Sequence, residues 1–296
     1  MRLHLIDGTF ELFRAHFTKR PGHRTPQGVE VKAVVGLATN LTALLHDPVE
    51  AVTHVAIAFD NPIRSFRNDL FPGYKTEEGV PPELLAQFDA AEEAARALGL
   101  VVWPMRDFEA DDALASAAAR FVDQVEQVRI LSPDKDLGQC LAGSRVVQLL
   151  RIRDRVVDEA ALRERRGIAP ESVPDFLALV GDAADGIPGL PGFGERTAAA
   201  LLAGHLHLEA IPRDPERWPS AVRRAATLAD ALASGWESAL LYRRLATLVT
   251  RVPLEETLDD LRWTGIPRDR FEDWCGRLGA DRLLASARRR TAGEGG

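Results

Sequence analysis

Nine acidic side chains in this 296-residue sequence are placed as if to hold divalent cations. Asp7, Asp60, and the pair Asp134 and Asp136 each close a short apolar run of the kind that forms a strand. Glu109, Asp111 and Asp112 open an alanine-rich helical stretch, with Glu109 and Asp112 spaced to share a face, and Asp182 and Asp185 follow in the second half. Carboxylates drawn together repel one another and need cations. Oxygen ligands without histidine or cysteine among them favour magnesium or manganese over zinc. Two such ions about 4 Å apart stabilise both the attacking and the leaving oxygen of a phosphodiester cleavage. Any one of these aspartates reads more simply as a turn or helix-cap residue. An acid pair that opens a helix ordinarily serves the helix dipole. The metal reading rests on their coincidence.

Two further segments suit a phosphate-bearing substrate. Gly189-Leu190-Pro191-Gly192-Phe193-Gly194-Glu195-Arg196-Thr197 joins two helical stretches. Its glycines let backbone approach a phosphate, and the helix behind them offers unpaired N–H groups. A tight helix–helix connection would need the same glycines. No Gly-Lys-Ser/Thr follows, so it is not a nucleotide P-loop. Lysine is scarce, with only Lys19, Lys32, Lys75 and Lys135 among 37 basic residues. Lys75, in Gly73-Tyr74-Lys75, is placed to neutralise a scissile phosphate, with Tyr74 beside it to stack on a base. Arg64 and Arg67 are phosphate-clamp candidates. Without its surroundings, Lys75 reads as a solvated lysine beside a partly buried tyrosine.

Strand-like runs at Leu3–Ile6, 52–59, 100–103 and 128–131 alternate with helical stretches at about 31–45, 82–98 and 111–121. A hairpin is predicted over 146–150 and 155–157, around Arg153-Asp154. Strands separated by helices imply a mainly parallel sheet covered on both faces. Ligands of such sheets bind beyond the carboxyl ends of the strands, where these aspartates fall. From about Gly167 the pattern turns helical, at Pro174–Gly181, 195–202, 221–233, 236–249 and 271–287.

Composition narrows the class. Hydrophobic residues make up 46% and charged residues 27%, the balance of a soluble globule. Two cysteines cannot build a disulfide framework or a four-cysteine zinc site. No run suits a signal peptide or a membrane span, so a reducing cytoplasm is expected. The net charge of −7 opposes nucleic-acid binding at first sight. Setting nine metal-bound carboxylates aside turns it into +2.

Taken in order, Ile6-Asp7-Gly8, Phe59-Asp60, Ser65-Phe66-Arg67, Gly73-Tyr74-Lys75, Phe108 to Asp112, Asp134-Lys135-Asp136, Gly181 to Asp185, and Ile187-Pro188-Gly189 with Gly192 to Ala198 resemble the bacterial 5′–3′ exonuclease and flap endonuclease family. That family includes the N-terminal 5′-nuclease domain of DNA polymerase I; here no polymerase domain follows, as in a stand-alone member. The resemblance spans most of residues 1–210. It implies a metal-dependent nuclease that cuts DNA near the 5′ ends of branched or nicked duplexes, in replication or repair. It implies that Asp7, Asp60, Glu109, Asp111 and Asp112 hold a first metal ion, and that Asp134, Asp136, Asp182 and Asp185 hold a second, partly through water. Lys75 and Arg67 would assist at the phosphate, within a partly helical arch over the site. Phe13, Arg14 and Tyr74 would touch DNA. Gly189, Gly192, Gly194, Arg196 and Thr197 would belong to a helix–three-turn–helix that grips duplex backbone, in relatives often with a potassium ion.

Three departures stand out. Phe13 replaces a common tyrosine, Thr76-Glu77-Glu78 follows Lys75 where relatives carry basic residues, and Gly186 stands where asparagine is common. The expected architecture is an α/β nuclease core of PIN-like type over 1–166, with the arch at about 61–99. A helical DNA-binding part then covers 167–287, its helix–three-turn–helix at about 174–203, and a loose tail covers 288–296. Two rivals are a DNA junction-binding homologue without efficient cleavage and a PIN-like ribonuclease.

Overall fold

In the computed structural model, which describes residues 1–153 and 155–291, six strands form one sheet. They are β1 (Arg2–Asp7), β2 (His54–Asp60), β3 (Val101–Met105), β4 (Gln127–Leu131), β5 (Val146–Leu150) and β6 (Arg155–Val157), in the order β3-β2-β1-β4-β5-β6. Neighbours run parallel except the β5–β6 hairpin. The central strands are apolar runs because both faces are covered. Leu5 of β1 pairs with Ala56 and Ile130 on either side.

The chain builds β1 to β3 outward in one direction, then returns past β1 to add β4. The carboxyl ends of β1 and β4 therefore flank the point where the strand order reverses, the place where sheets of this kind form a crevice.

Helices α1 (Gly8–Phe17), α2 (Lys32–Leu45), α3 (Arg67–Leu70), α4 (Pro82–Leu85), α5 (Phe88–Ala97) and α6 (Ala110–Phe121) belong to the sheet's half. Next come α7 (Glu159–Arg166), α8 (Val173–Val180), α9 (Glu195–His205), α10 (Ala225–Ser234) and α11 (Trp236–Ala246). The last two are α12 (Arg268–Leu278) and α13 (Asp281–Thr291). One sheet face, through Ile6, Ile57 and Phe59, packs on α2 and α5. The other, through Leu3, Leu5 and Ile130, packs on α6. A separate apolar core joins α8 to α11. None of the described helices is long and apolar enough to cross a membrane.

Several expectations need correction. The helix expected over 82–98 breaks at Gln87. That side chain turns inward, accepts from the amides of Ala33 and Val34 at 3.1 and 3.3 Å, and caps α2 from outside. Helix α5 then packs in the sheet's core through Phe88, Ala91 and Ala95, so it does not rise over the site. The stretch 271–287 is two helices, because Gly279 ends α12 in the left-handed region. Residues 288–291 are helical as part of α13, held by the Thr291 and Arg288 contacts, whereas 292–296 lie outside the described residues. Asp154, expected at the hairpin turn, does too. The helical half is not one body. Leu248, Val252 and Leu261 cover the α6 face, and Phe271, Trp274 and Leu283 complete the α2–α5 core. The alternating pattern also hid α1 and α7.

Candidate metal centre

Each acidic residue is delivered by the end of an element. Asp7 ends β1 and caps α1, accepting from the Phe10 amide at 2.8 Å and from Ser132 Oγ at 2.8 Å. Asp60 ends β2, accepts from the Ala110 amide at 2.7 Å, and is fixed through its own amide by Thr9 Oγ1. Glu109 and Asp112 form a capping box at the start of α6. Asp134 follows β4 and accepts from the Asp136 amide at 2.8 Å. Asp182 sits in the turn after α8, where a short bridge to Ile187 closes the backbone.

These elements meet over a cleft of about 810 Å³ lined by Asp7, Asp60, Glu109, Asp111, Asp134, Asp182 and Asp185, together with Lys75 and Lys135. Asp136, Asp182 and Asp185 each bring a carboxylate oxygen to within 4.8 Å of the others, and all three are buried. Asp136 Oδ1 is buried with no hydrogen-bond partner. A buried, unpartnered carboxylate oxygen among carboxylates is the chemistry that a hard cation satisfies.

The electrostatics agree with that deficit of positive charge. Burial pushes Asp7 up to about 7, against its Phe10 and Ser132 hydrogen bonds and with help from Asp60. Burial also raises Asp60 and Asp185, against Lys75. It holds Asp111 and Asp136 well above the usual carboxylate range, with Asp134 adding to both. Glu109 behaves differently. Burial pushes it up, but Lys75 and Arg67 outweigh burial and hold it low.

Lys75 Nζ lies 2.9 Å from Glu109 Oε2 and 3.0 Å from Asp185 Oδ1, tying the sheet's half to the helical half. Lys135 Nζ reaches Asp182 at 2.8 Å. Gly186 makes the first junction possible. Its φ is +74°, and a Cβ there would lie 2.1 Å from the Gly73 carbonyl oxygen, so asparagine could not replace it in this arrangement.

Not every candidate reaches the cleft. Arg67 is 1% exposed and grips Asp112 with two hydrogen bonds of 2.7 and 2.8 Å. Nε and Nη2 also donate to the carbonyls of Leu245 and Thr247, and Nη1 lies 3.3 Å from Glu109 Oε1. Asp112 also accepts from the amides of Glu109 and Val249, so both its oxygens are occupied by protein donors. Tyr74 is buried and donates its hydroxyl to Glu109, leaving no ring face for a base. Phe13 is half-buried and lines the cleft, while Arg14 pairs with Glu11.

In the glycine loop, Gly189 and Gly181 pack back to back, and a Cβ on Gly189 would lie 2.5 Å from the Gly181 nitrogen. Gly192 has a φ of +85°, Gly194 faces open space at the start of α9, Arg196 is exposed, and the Thr197 amide bonds to Gly194. Sequence reading missed Ser132, Thr9 and Arg151. Hydroxyls that orient carboxylates carry no spacing signature, and Arg151 reaches the cleft only through the hairpin.

Comparison with known proteins places the chain. The model of the 5′–3′ exonuclease N-terminal resolvase-like domain matches residues 2–167, and that of the 5′–3′ exonuclease C-terminal SAM fold matches 168–269. DNA polymerase I of Rhizobium leguminosarum is 35% identical over 265 residues, covering 88% of this chain; the chain spans only 26% of that protein. A structure of T5 5′-exonuclease with bound zinc ions shares the fold with a TM-score of 0.64 at 18% identity, covering 97% of this chain and 100% of the other. The catalytic core of Rad2 in complex with DNA substrate shares it at 0.61 and 14%, covering 96% and 92%. With both of its parts matched over residues 2–269 and its carboxylates gathered at the sheet's switch point, the chain belongs to the 5′–3′ exonuclease family.

Proposed function

We propose that this chain is a metal-dependent 5′-nuclease that hydrolyses DNA phosphodiesters near the 5′ ends of branched or nicked duplexes, as exonuclease and flap endonuclease, in bacterial replication or repair. Its compartment is then the cytosol, where that DNA lies. The observation that carries this reading is the convergence of buried carboxylates, one with an unpartnered oxygen, beside an exposed glycine loop that opens a helix. Asp7, Asp60, Asp111 and Asp134 would hold one magnesium or manganese ion, and Asp136, Asp182 and Asp185 the second. Such a pair supplies positive charge to the attacking and leaving oxygens. Asp112 acts as a positioning residue, since Arg67 and the Glu109 amide saturate it. Glu109 sets Lys75 at the mouth of the cleft, where its ammonium can turn to a phosphate. The first amides of α9, with exposed Arg196, would hold duplex backbone without reading sequence. A potassium ion would join that grip beside the exposed Pro191, Gly192 and Gly194.

A labelled 5′-flap duplex tests this. Cleavage should require magnesium or manganese and stop on chelation. Asp136→Asn combined with Asp182→Asn should lower turnover at least about a hundredfold while duplex binding persists. Lys75→Ala should reduce turnover more than affinity. Binding without cutting under any divalent salt would favour the junction-binding reading, and preferential cleavage of single-stranded RNA the ribonuclease reading.

A further inference from the structure

The cleft also carries a group of arginines. Besides the carboxylates it is lined by Arg151, just after β5, and by Arg165 and Arg166, in the last turn of α7. Among the described residues, neither Arg165 nor Arg166 forms an ion pair or a side-chain hydrogen bond. Arg163, in the same turn, is the one that pairs with Glu159. Arg165 is exposed. Arg166 is half-buried, its guanidinium 6.0 Å from the Phe176 ring, and its Nη1 is buried without a partner. Arg151 Nη1 is likewise buried without a hydrogen bond, its ion-pair partner Glu11 lying 3.7 Å away. Glu11 is already held by Arg14, so one carboxylate serves two guanidinium groups and the other two have none.

Arginines at a helix C-terminus commonly serve the helix dipole, and that suffices for Arg163. It does not account for the buried Nη1 groups of Arg151 and Arg166, from two different elements lining one cleft, that have no hydrogen-bond partner. A planar guanidinium fork with spare donors matches carboxylate and phosphate oxygens alike, and in the cleft of a nuclease the free anion at hand is a phosphate of the strand.

We propose that Arg151, Arg165 and Arg166 form a phosphate-binding subsite that holds the substrate strand beside the phosphate being cut. This rests on the nuclease reading above. The ligand is a phosphate of the strand, either an internal diester or the 5′-terminal monoester. The carboxylates would take the reacting phosphate through cations, and the arginines a neighbouring one directly. The two groups together fix how far the strand advances.

The test uses the full chain with flap duplexes carrying a 5′-phosphate or a 5′-hydroxyl. Binding is read by fluorescence anisotropy in EDTA across a salt series, and cleavage in magnesium. Arg165→Gln and Arg166→Gln, singly and together, are compared with the parent. Arg151 is left intact because it also bonds to the Asn40 carbonyl. Each substitution should weaken binding and raise KM about three- to fivefold, with kcat nearly unchanged. Each lost contact should flatten the slope of log affinity against log salt by about 0.7–0.9. A loss confined to the 5′-phosphorylated flap assigns the subsite to the terminal monoester, and an equal loss on both flaps to an internal diester. Unchanged affinity, KM and salt slope in the double variant overturn the subsite. Should Arg166→Gln unfold the protein, substitution of the exposed Arg165 alone decides between the same two outcomes. A parent protein that binds flaps but cuts nothing would refute the nuclease reading instead, while the EDTA measurement still reports on the arginines.

Discussion

At the scale of single residues, a buried ion pair within the sheet's half also anchors the end of α11 and the chain just after it. Arg67 donates two hydrogen bonds to Asp112 in a setting with almost no solvent, and also donates to the carbonyls of Leu245 and Thr247. Removing one partner of such a pair leaves an uncompensated buried charge. Arg67→Ala should therefore cost about 3–5 kcal/mol in a urea titration, and a loss below about 1 kcal/mol would show the pair to be dispensable. The Ser65-Phe66-Arg67 segment was legible as chemistry in the sequence. Its role was not, because a phosphate clamp and a buried tether use the same residue type and differ only in what lies opposite.

Among elements, the positions of α2 and of the turns around the cleft depend on contacts made from far along the chain. Helix α2 begins at Lys32 without a side-chain cap of its own, and Gln87 supplies the acceptor. Gln87→Ala should strip the acceptor from two buried amides and lower stability by about 1–2 kcal/mol. Differential scanning calorimetry would register this as a drop in Tm, and an unchanged Tm would mean that water replaces the cap. Apolar periodicity located α2, α6 and α8 closely. It ran 82–98 together as one helix, since a glutamine within a helical pattern carries no mark of turning inward. Gly186 is the converse case. It stands where asparagine is common in the resembling family, and the approach of the Gly73 carbonyl explains it.

For the whole molecule, the carboxylate edge of the sheet is balanced by a second charged cluster low on β1 and β4, where Glu50 meets His4 of β1 at 3.0 Å and Arg129 of β4. Burial pushes Glu50 up, but its hydrogen bonds to His4 and Arg129 prevail and bring it down to about 2 from an ordinary 4.5. A carboxyl depressed on folding adds stability that is complete above pH 4.5 and is lost as pH falls toward 2. Glu50→Gln should remove at most about 3 kcal/mol at pH 7 and flatten the acid limb of the unfolding curve; a parallel acid limb would reject the assignment. The sequence by itself determined the parallel α/β order, the helical second half, and the carboxylates at strand and helix ends, because those follow from local periodicity and from where apolar runs stop. Only the tertiary structure decided that Arg67 and Asp112 pair with each other, that the last helices return to the sheet, and that Arg151 and the end of α7 line one cleft with the acids. Those outcomes depend on which surfaces meet and how much water they exclude, and neither quantity is encoded in the spacing of residues along a chain.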